Sequence, residues 1–235
     1  MGKKVDFIVA DILSRIFRQQ WPSGKLPTQR EFAREYGVSR FTIQAVIENL
    51  TLIGALSSTQ GSGTYVREGL RKNPLIYNTM TRTPYEQIDS RVLHLNRTSP
   101  SADEALLFQL PSGGEIWQFD RLRIIDGVSS QIERTVMPAA MFPTLSDAVL
   151  EKSVQGFVEG AGYRISHYMT SYRPVTVTRQ DASILECRRG APAMAIDSRG
   201  VLTDGRVFAH SEMIALNYEV SYISRFDREV HQARL

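Results

Sequence analysis

The stretch that most constrains this chain is its first third, where helix signals, stop signals and a glycine-rich turn follow one another in a fixed order. Val5, Ile8, Val9, Ile12, Leu13, Ile16 and Phe17 recur at the spacing of one helix face. Trp21-Pro22-Ser23-Gly24 closes that helix. Leu26-Pro27 leads into Thr28-Gln29-Arg30-Glu31, a capping box in which the Thr28 hydroxyl accepts from the Glu31 amide and Glu31 reaches back. Phe32, Ala33 and Tyr36 supply the buried side of a short second helix, and Gly37 stops it by tolerating the left-handed conformation. Ser39 caps a third helix whose inward positions are Ile43, Val46, Ile47 and Leu50, and Gly54 ends it. Strand-like runs Ala55–Ser58 and Thr64–Arg67 flank the turn Thr59-Gln60-Gly61-Ser62-Gly63. Two helices joined by a tight turn, followed by a hairpin, give the order of a winged helix-turn-helix.

Charge agrees with that reading. Residues 1–72 carry eleven Lys/Arg against six Asp/Glu, a net of +5, whereas residues 73–235 carry seventeen against nineteen, a net of −2. A basic head on a near-neutral remainder is suited to a polyanion. No apolar run approaches the roughly 18 residues of a membrane span, and the N-terminus lacks a signal-peptide pattern, so a cytoplasmic setting is expected. The single cysteine, Cys187, excludes an internal disulfide framework and a cysteine-based zinc site. His94, His167, His210 and His231 show neither metal-ligand spacing nor a nucleophile partner. Neither an enzyme nor a cofactor is expected.

The helix after Ser39 is the expected recognition helix, with its first turns in the major groove. Arg40, Thr42 and Gln44 lie near that end and away from the core positions. Arg40 suits phosphate or guanine, and Gln44 suits adenine. Arg30, opening the preceding helix, is placed for a backbone phosphate. Three motifs then carry a resemblance: Leu26-Pro27-Thr28-Gln29-Arg30-Glu31-Phe32-Ala33, Gly37-Val38-Ser39-Arg40-Phe41-Thr42-Ile43, and Gln60-Gly61-Ser62-Gly63-Thr64-Tyr65-Val66. Together they resemble the N-terminal signature of GntR-family bacterial regulators. The resemblance implies DNA contacts from Thr28, Arg30, Ser39, Arg40, Thr42, Gln44 and the wing glycines Gly61 and Gly63. Two positions depart from it: Gln44 stands where the family usually has Arg, which points to a different half-site, and Thr28 stands where Ser is commoner.

Residues 69–87, broken by Asn73-Pro74 and Thr83-Pro84, read as a linker between a head at 1–68 and a second domain at 88–235. Strand-like runs there are Ile88–Asn96, Glu115–Ile125, Ser129–Met137, Tyr163–Thr176, Ala193–Leu202 and Arg206–Leu216. Helical stretches are Ser101–Gln109, Ser146–Gly160 and Arg179–Arg188, and Asp126-Gly127 and Asp204-Gly205 mark hairpin turns. The fold class is α+β, with a mostly antiparallel sheet. Alternation puts Trp117, Phe119, Arg121 and Arg123 on one strand face. Two arginines so placed can fork an anionic group, and Ser153, at an expected helix start, offers a hydroxyl that can also meet an anion.

Asp120-Arg121-Leu122-Arg123, Glu133, Met137-Pro138, Phe142-Pro143-Thr144-Leu145, Lys152-Ser153, Gly162 and Arg206-Val207-Phe208 with Ser211 resemble the UTRA effector-binding domain of the HutC branch. That resemblance implies a chorismate-lyase-like fold and a pocket for a small metabolite, often a phosphorylated sugar, built from Arg121, Arg123, Glu133, Ser153 and Ser211. A two-residue Asp126-Gly127 turn would set Glu133 opposite Asp120, on the wrong face. A three-residue turn would pair it with Arg121, and the resemblance selects the latter. Gln155, Ala209 and His210 depart from the family pattern; His210 has a hydrogen-bonding side chain that a ligand can use, although a lone His is more often structural.

The expected protein is a ligand-responsive transcriptional regulator, in sense a repressor. It would bind an inverted-repeat operator in double-stranded DNA as a homodimer and leave it on binding a small anionic effector. The other readings are a lyase-like enzyme tethered to DNA and a DNA binder without an effector.

Overall fold

The computed structural model describes residues 3–59, 63–68, 70, 75–223, 226, 228 and 232. The chain divides into two compact units, Met1–Pro84 with Glu219–Leu235, and Tyr85–Tyr218.

The first unit opens with α1 (Lys3–Phe17), α2 (Gln29–Tyr36) and α3 (Arg40–Leu52), followed by the antiparallel ribbon of β1 (Leu56–Thr59) and β2 (Gly63–Val66). The capping box at Thr28 is complete, and Gly37 takes φ +62° as the left-handed stop of α2. Ser39 caps α3 by accepting from the Thr42 amide. Ile8, Ile12 and Ile16 of α1, Phe32 of α2 and Ile43, Val46 and Leu50 of α3 are fully buried together in one core. Trp21 meets Phe32 edge to face at 5.8 Å, which fixes the corner between α1 and α2.

The chain divides differently from the three segments expected. The presumed linker contains β3 (Leu75–Asn78), which pairs with β10 (Val220–Ile223). Leu75, Tyr77 and Ile223 from that ribbon pack against the helical core. The strand Val220–Ile223 therefore groups with the head rather than with the second domain.

The second unit is a six-stranded antiparallel sheet in the order β4-β5-β6-β9-β8-β7. Its strands are β4 (Ile88–Thr98), β5 (Ile116–Ile125), β6 (Val128–Pro138), β7 (Ile165–Thr176), β8 (Pro192–Leu202) and β9 (Val207–Ala215). One face carries Phe119, Met137 and Ala209 beneath α5 (Asp147–Leu150) and α6 (Val154–Gly160). The other carries Leu122 and Ile132, packed with Ala182 of α7 (Arg179–Ile184) and with Leu185. The short helix α4 (Ala102–Leu107) begins at a second complete capping box, Ser101 with Glu104.

Two helices are shorter than the sequence suggested. The stretch 146–160 breaks into α5 and α6, because Ser153 takes an extended conformation to cap α6. The helix from Arg179 stops at Ile184, because Glu186 adopts φ +54°, so Cys187 lies beyond it, packed partly buried against Leu185 and its neighbours.

The hairpin after β5 reaches the expected pairing by another route. Asp126 and Gly127 form a two-residue loop with both φ positive, at 50° and 75°, and Ile125 opposes Val128. A bulge at Ser130 then supplies the extra residue, so that Arg121 faces Glu133. The expected three-residue turn is not present. The register it was invoked to explain comes from the bulge.

Candidate DNA-reading face and effector pocket

The exposed side of the helix-turn-helix is built by the caps that define it. Thr28 and Ser39 spend their hydroxyls locally: Thr28 Oγ1 donates to Glu31 Oε2 at 2.8 Å, and Ser39 Oγ lies 2.9 Å from Thr42 Oγ1. The backbone and hydroxyl of Thr28 hold the Glu31 carboxyl below its usual pKa. These three hydroxylated residues therefore set the geometry of the helix starts, where amide groups attract phosphate. Arg30 and Arg40 are exposed, and neither makes an ion pair among the described residues. Gln44 is exposed as well, its amide donating to Glu48 Oε1 at 2.9 Å. Gly63 opens β2 with φ +118°, while Gly61 lies outside the described residues.

One feature of this face escaped the sequence reading. Phe41, between Arg40 and Thr42, is 80% exposed. The signal was available, since position 41 lies off the Ile43/Val46/Ile47/Leu50 stripe and yet is aromatic.

In the second unit, four of the five expected pocket residues share one sheet face. Arg121 Nη2 donates to Glu133 Oε2 at 2.6 Å, Thr135 Oγ1 donates to Glu133 Oε1 at 3.2 Å, and Thr135 and Ser211 hydroxyls meet at 2.7 Å. Arg123 stands two residues along from Arg121 and bonds Ser90 Oγ at 2.5 Å. The guanidinium of Arg121 is also a structural latch. It donates to Leu150 O at 2.8 Å and Lys152 O at 3.5 Å, the carbonyls released where α5 ends. Ser153, the fifth residue, follows directly, but its hydroxyl is taken by the Gly156 amide at 3.0 Å as an N-cap.

The charge on this face does not balance. Two guanidinium groups, at 5% and 9% exposure, share one carboxylate, Glu133. Burial, reinforced by Arg121, lowers the Arg123 pKa. Burial alone would raise the Glu133 carboxyl, yet Arg121, Arg123 and Thr135 together hold it below its usual value. Two buried atoms here have no hydrogen-bond partner among the described residues, Arg121 Nε and Gln131 Oε1, and such atoms in a native fold call for an explanation such as a ligand.

The opposite sheet face carries a cleft of about 660 Å³ lined by Gln118, Arg134, Arg199, His210 and Glu212, with Leu106 and Leu107 of α4 as one wall. Arg134 is held between Asp181 at 2.5 Å and Asp120 at 3.5 Å, and burial raises the Asp120 carboxyl. His210 pairs with Asp197 at 2.9 Å on this face. It therefore does not join the Arg121 cluster. Among the described residues no group of three His, Cys, Asp or Glu is placed to hold a metal, and no helix is long and apolar enough to cross a membrane.

A helix-turn-helix with a β ribbon, joined in one chain to an antiparallel sheet domain holding buried arginines, defines a DNA-binding regulator with a sensor domain. The family models agree. The UTRA domain matches residues 85–217, and the bacterial regulatory protein gntR family matches residues 4–66. The chain belongs to the UTRA-containing branch of the GntR family and is a transcriptional regulator. It is 31% identical over 199 residues to the mannosyl-D-glycerate transport/metabolism system repressor MngR of Escherichia coli K12, spanning 81% of each chain. It is 24% identical over 216 residues to the transcriptional repressor NagR of Bacillus subtilis, spanning 88% of this chain and 87% of that one. The crystal structure of the possible transcriptional regulator YydK from Bacillus subtilis shares the fold with a TM-score of 0.56 at 23% identity, covering 92% of this chain and 95% of that one.

Proposed function

We propose that this regulator represses by holding an inverted-repeat operator as a homodimer and releases it when a small anionic metabolite enters the Arg121–Arg123–Glu133 face. Arg30, Arg40, Gln44 and the wing make the DNA contacts, with the caps at Thr28, Ser39 and Thr42 positioning them. The observation that carries the effector reading is the uncompensated buried charge, two guanidiniums against one carboxylate. A phosphate or carboxylate supplies the missing anion and accepts from the unpartnered Arg121 Nε. The relative named for mannosyl-D-glycerate supports a sugar-derived anion, and a phosphorylated sugar fits the same charge requirement. Regulation rather than turnover is the expected role, in keeping with the relatives named as repressors. The ligand acts by favouring the DNA-incompetent state, which requires unequal affinity for the two states.

The test is release of a fluorescent duplex, taken from upstream of the protein's own gene, by a panel of sugar phosphates and sugar carboxylates. At least one should lower wild-type affinity and leave an Arg123→Ala variant bound. Release that survives Arg123→Ala but fails in Arg199→Ala would move the pocket to the cleft on the other face, whose volume suits a small ligand.

A further inference from the structure

The outward pole of α3 carries Phe41, Gln44 and Glu48 at i, i+3 and i+7, all three exposed. Single exposed apolar side chains are ordinary on protein surfaces, but the position of this one is not. Phe41 lies in the first turn of α3, between the exposed Arg40 and the polar pair of Gln44 and Glu48, and on the side away from Ile43, Val46, Ile47 and Leu50. At 80% exposure its ring adds nothing to the core of its own unit. The polar members of the stripe are already ordered, since Gln44 donates to Glu48 at 2.9 Å. An apolar ring beside polar groups on a face that meets a major groove needs an apolar partner there. The major groove offers one such group, the C5-methyl of thymine.

We infer that Phe41 reads a thymine methyl in each operator half-site, and that it fixes sequence preference alongside Arg40 and Gln44. The inference rests on α3 being the DNA-reading helix. Gln44 Oε1 and the Glu48 carboxylate then face the neighbouring bases as acceptors, while the phenyl ring excludes water from the methyl.

The experiment selects binding sites from a randomised duplex pool with the full-length wild-type protein and then replaces each selected thymine by uracil, which removes only the methyl. One thymine per half-site should lose about fourfold in wild-type affinity on this exchange, the worth of one buried methyl group. Phe41→Ala should bind the thymine duplex more weakly and show a thymine-to-uracil ratio near one at that position. Its melting temperature should match wild type, because the ring is solvent-exposed. Equal wild-type affinity for thymine and uracil at every position overturns the inference. So does a Phe41→Ala variant that keeps the discrimination, or one whose lost affinity is the same on both duplexes, which would place the ring against sugar or a second protein. Arg40→Ala separates the two layers, because it should weaken both duplexes alike. If it weakens neither, the placement of α3 on DNA fails, whatever Phe41 does.

Discussion

Replacing Arg121 by Ala should cost the second unit about 3–5 kcal/mol, the range for removing one partner of a buried ion pair. Three contacts set this size. The guanidinium is 5% exposed and bonds Glu133 at 2.6 Å, Leu150 O at 2.8 Å and Lys152 O at 3.5 Å. Truncation leaves a buried carboxylate without its closest cation and a helix-end carbonyl without its donor. The second loss alone is worth about 1–3 kcal/mol, though the two are not additive. Against a total stability of about 5–15 kcal/mol this is a large fraction. The assay is urea unfolding of the full-length chain followed by tryptophan fluorescence. Of the two tryptophans, Trp21 lies in the first unit and Trp117 in the second, so a Trp21→Phe background reports the second unit alone. The double variant Arg121→Met/Glu133→Gln, which removes both charges and keeps the volume, should recover much of the loss. A single Arg121→Ala variant within about 1 kcal/mol of wild type, or a double variant no better than the singles, would refute the latch. The same result bears on any experiment that uses Arg121→Ala to probe the effector, since lost response there would be confounded with lost folding.

The remaining predictions concern neighbouring groups. Arg123→Ala should disturb folding less, since Arg123 bonds a serine hydroxyl and adds to the local positive charge, yet it should weaken the effector by about 1.5–3 kcal/mol. Calorimetry with an active ligand checks this, and unchanged affinity would count against the pocket. Glu133 has a lowered pKa when folded, so its stabilising contribution is present above the ordinary carboxylate value near 4.3 and is lost as pH falls through the folded value. The stability gap between wild type and Glu133→Gln should therefore hold above about pH 5 and close on further acidification, whereas a gap that widens would contradict the sign. Thr28→Ala removes the hydroxyl side of the capping box, leaving the backbone amide of residue 28 to donate to Glu31, and should lower the stability of the first unit by about 0.5–2 kcal/mol in thermal unfolding.

The head was legible almost residue by residue, because its signals are local. Thr28, Gly37 and Ser39 act within three or four positions of themselves, and the structure shows each cap where the sequence places it. The strands of the second unit were legible for the same reason, through alternation and the Asp-Gly turns. What could not be read depends on partners distant in sequence. The pairing of residues 75–78 with 220–223 is invisible to any window. The break at Ser153 coincides with the latch from Arg121, some thirty positions away. The bulge at Ser130 has no turn residue to announce it. Likewise only the sheet register shows that His210, with Asp197, lies on the other face from Arg121, where it lines the cleft beside Arg199.

The central claim is that the exposed face beginning at Arg40 reads operator DNA. Fluorescence anisotropy with a duplex from upstream of the gene tests it most directly, comparing wild type with Arg40→Ala across a salt series. The account predicts tight, strongly salt-dependent binding by wild type and a loss of about 1–3 kcal/mol on Arg40→Ala, with the fold unchanged by circular dichroism. Equal affinity of the two proteins at every salt concentration would contradict it.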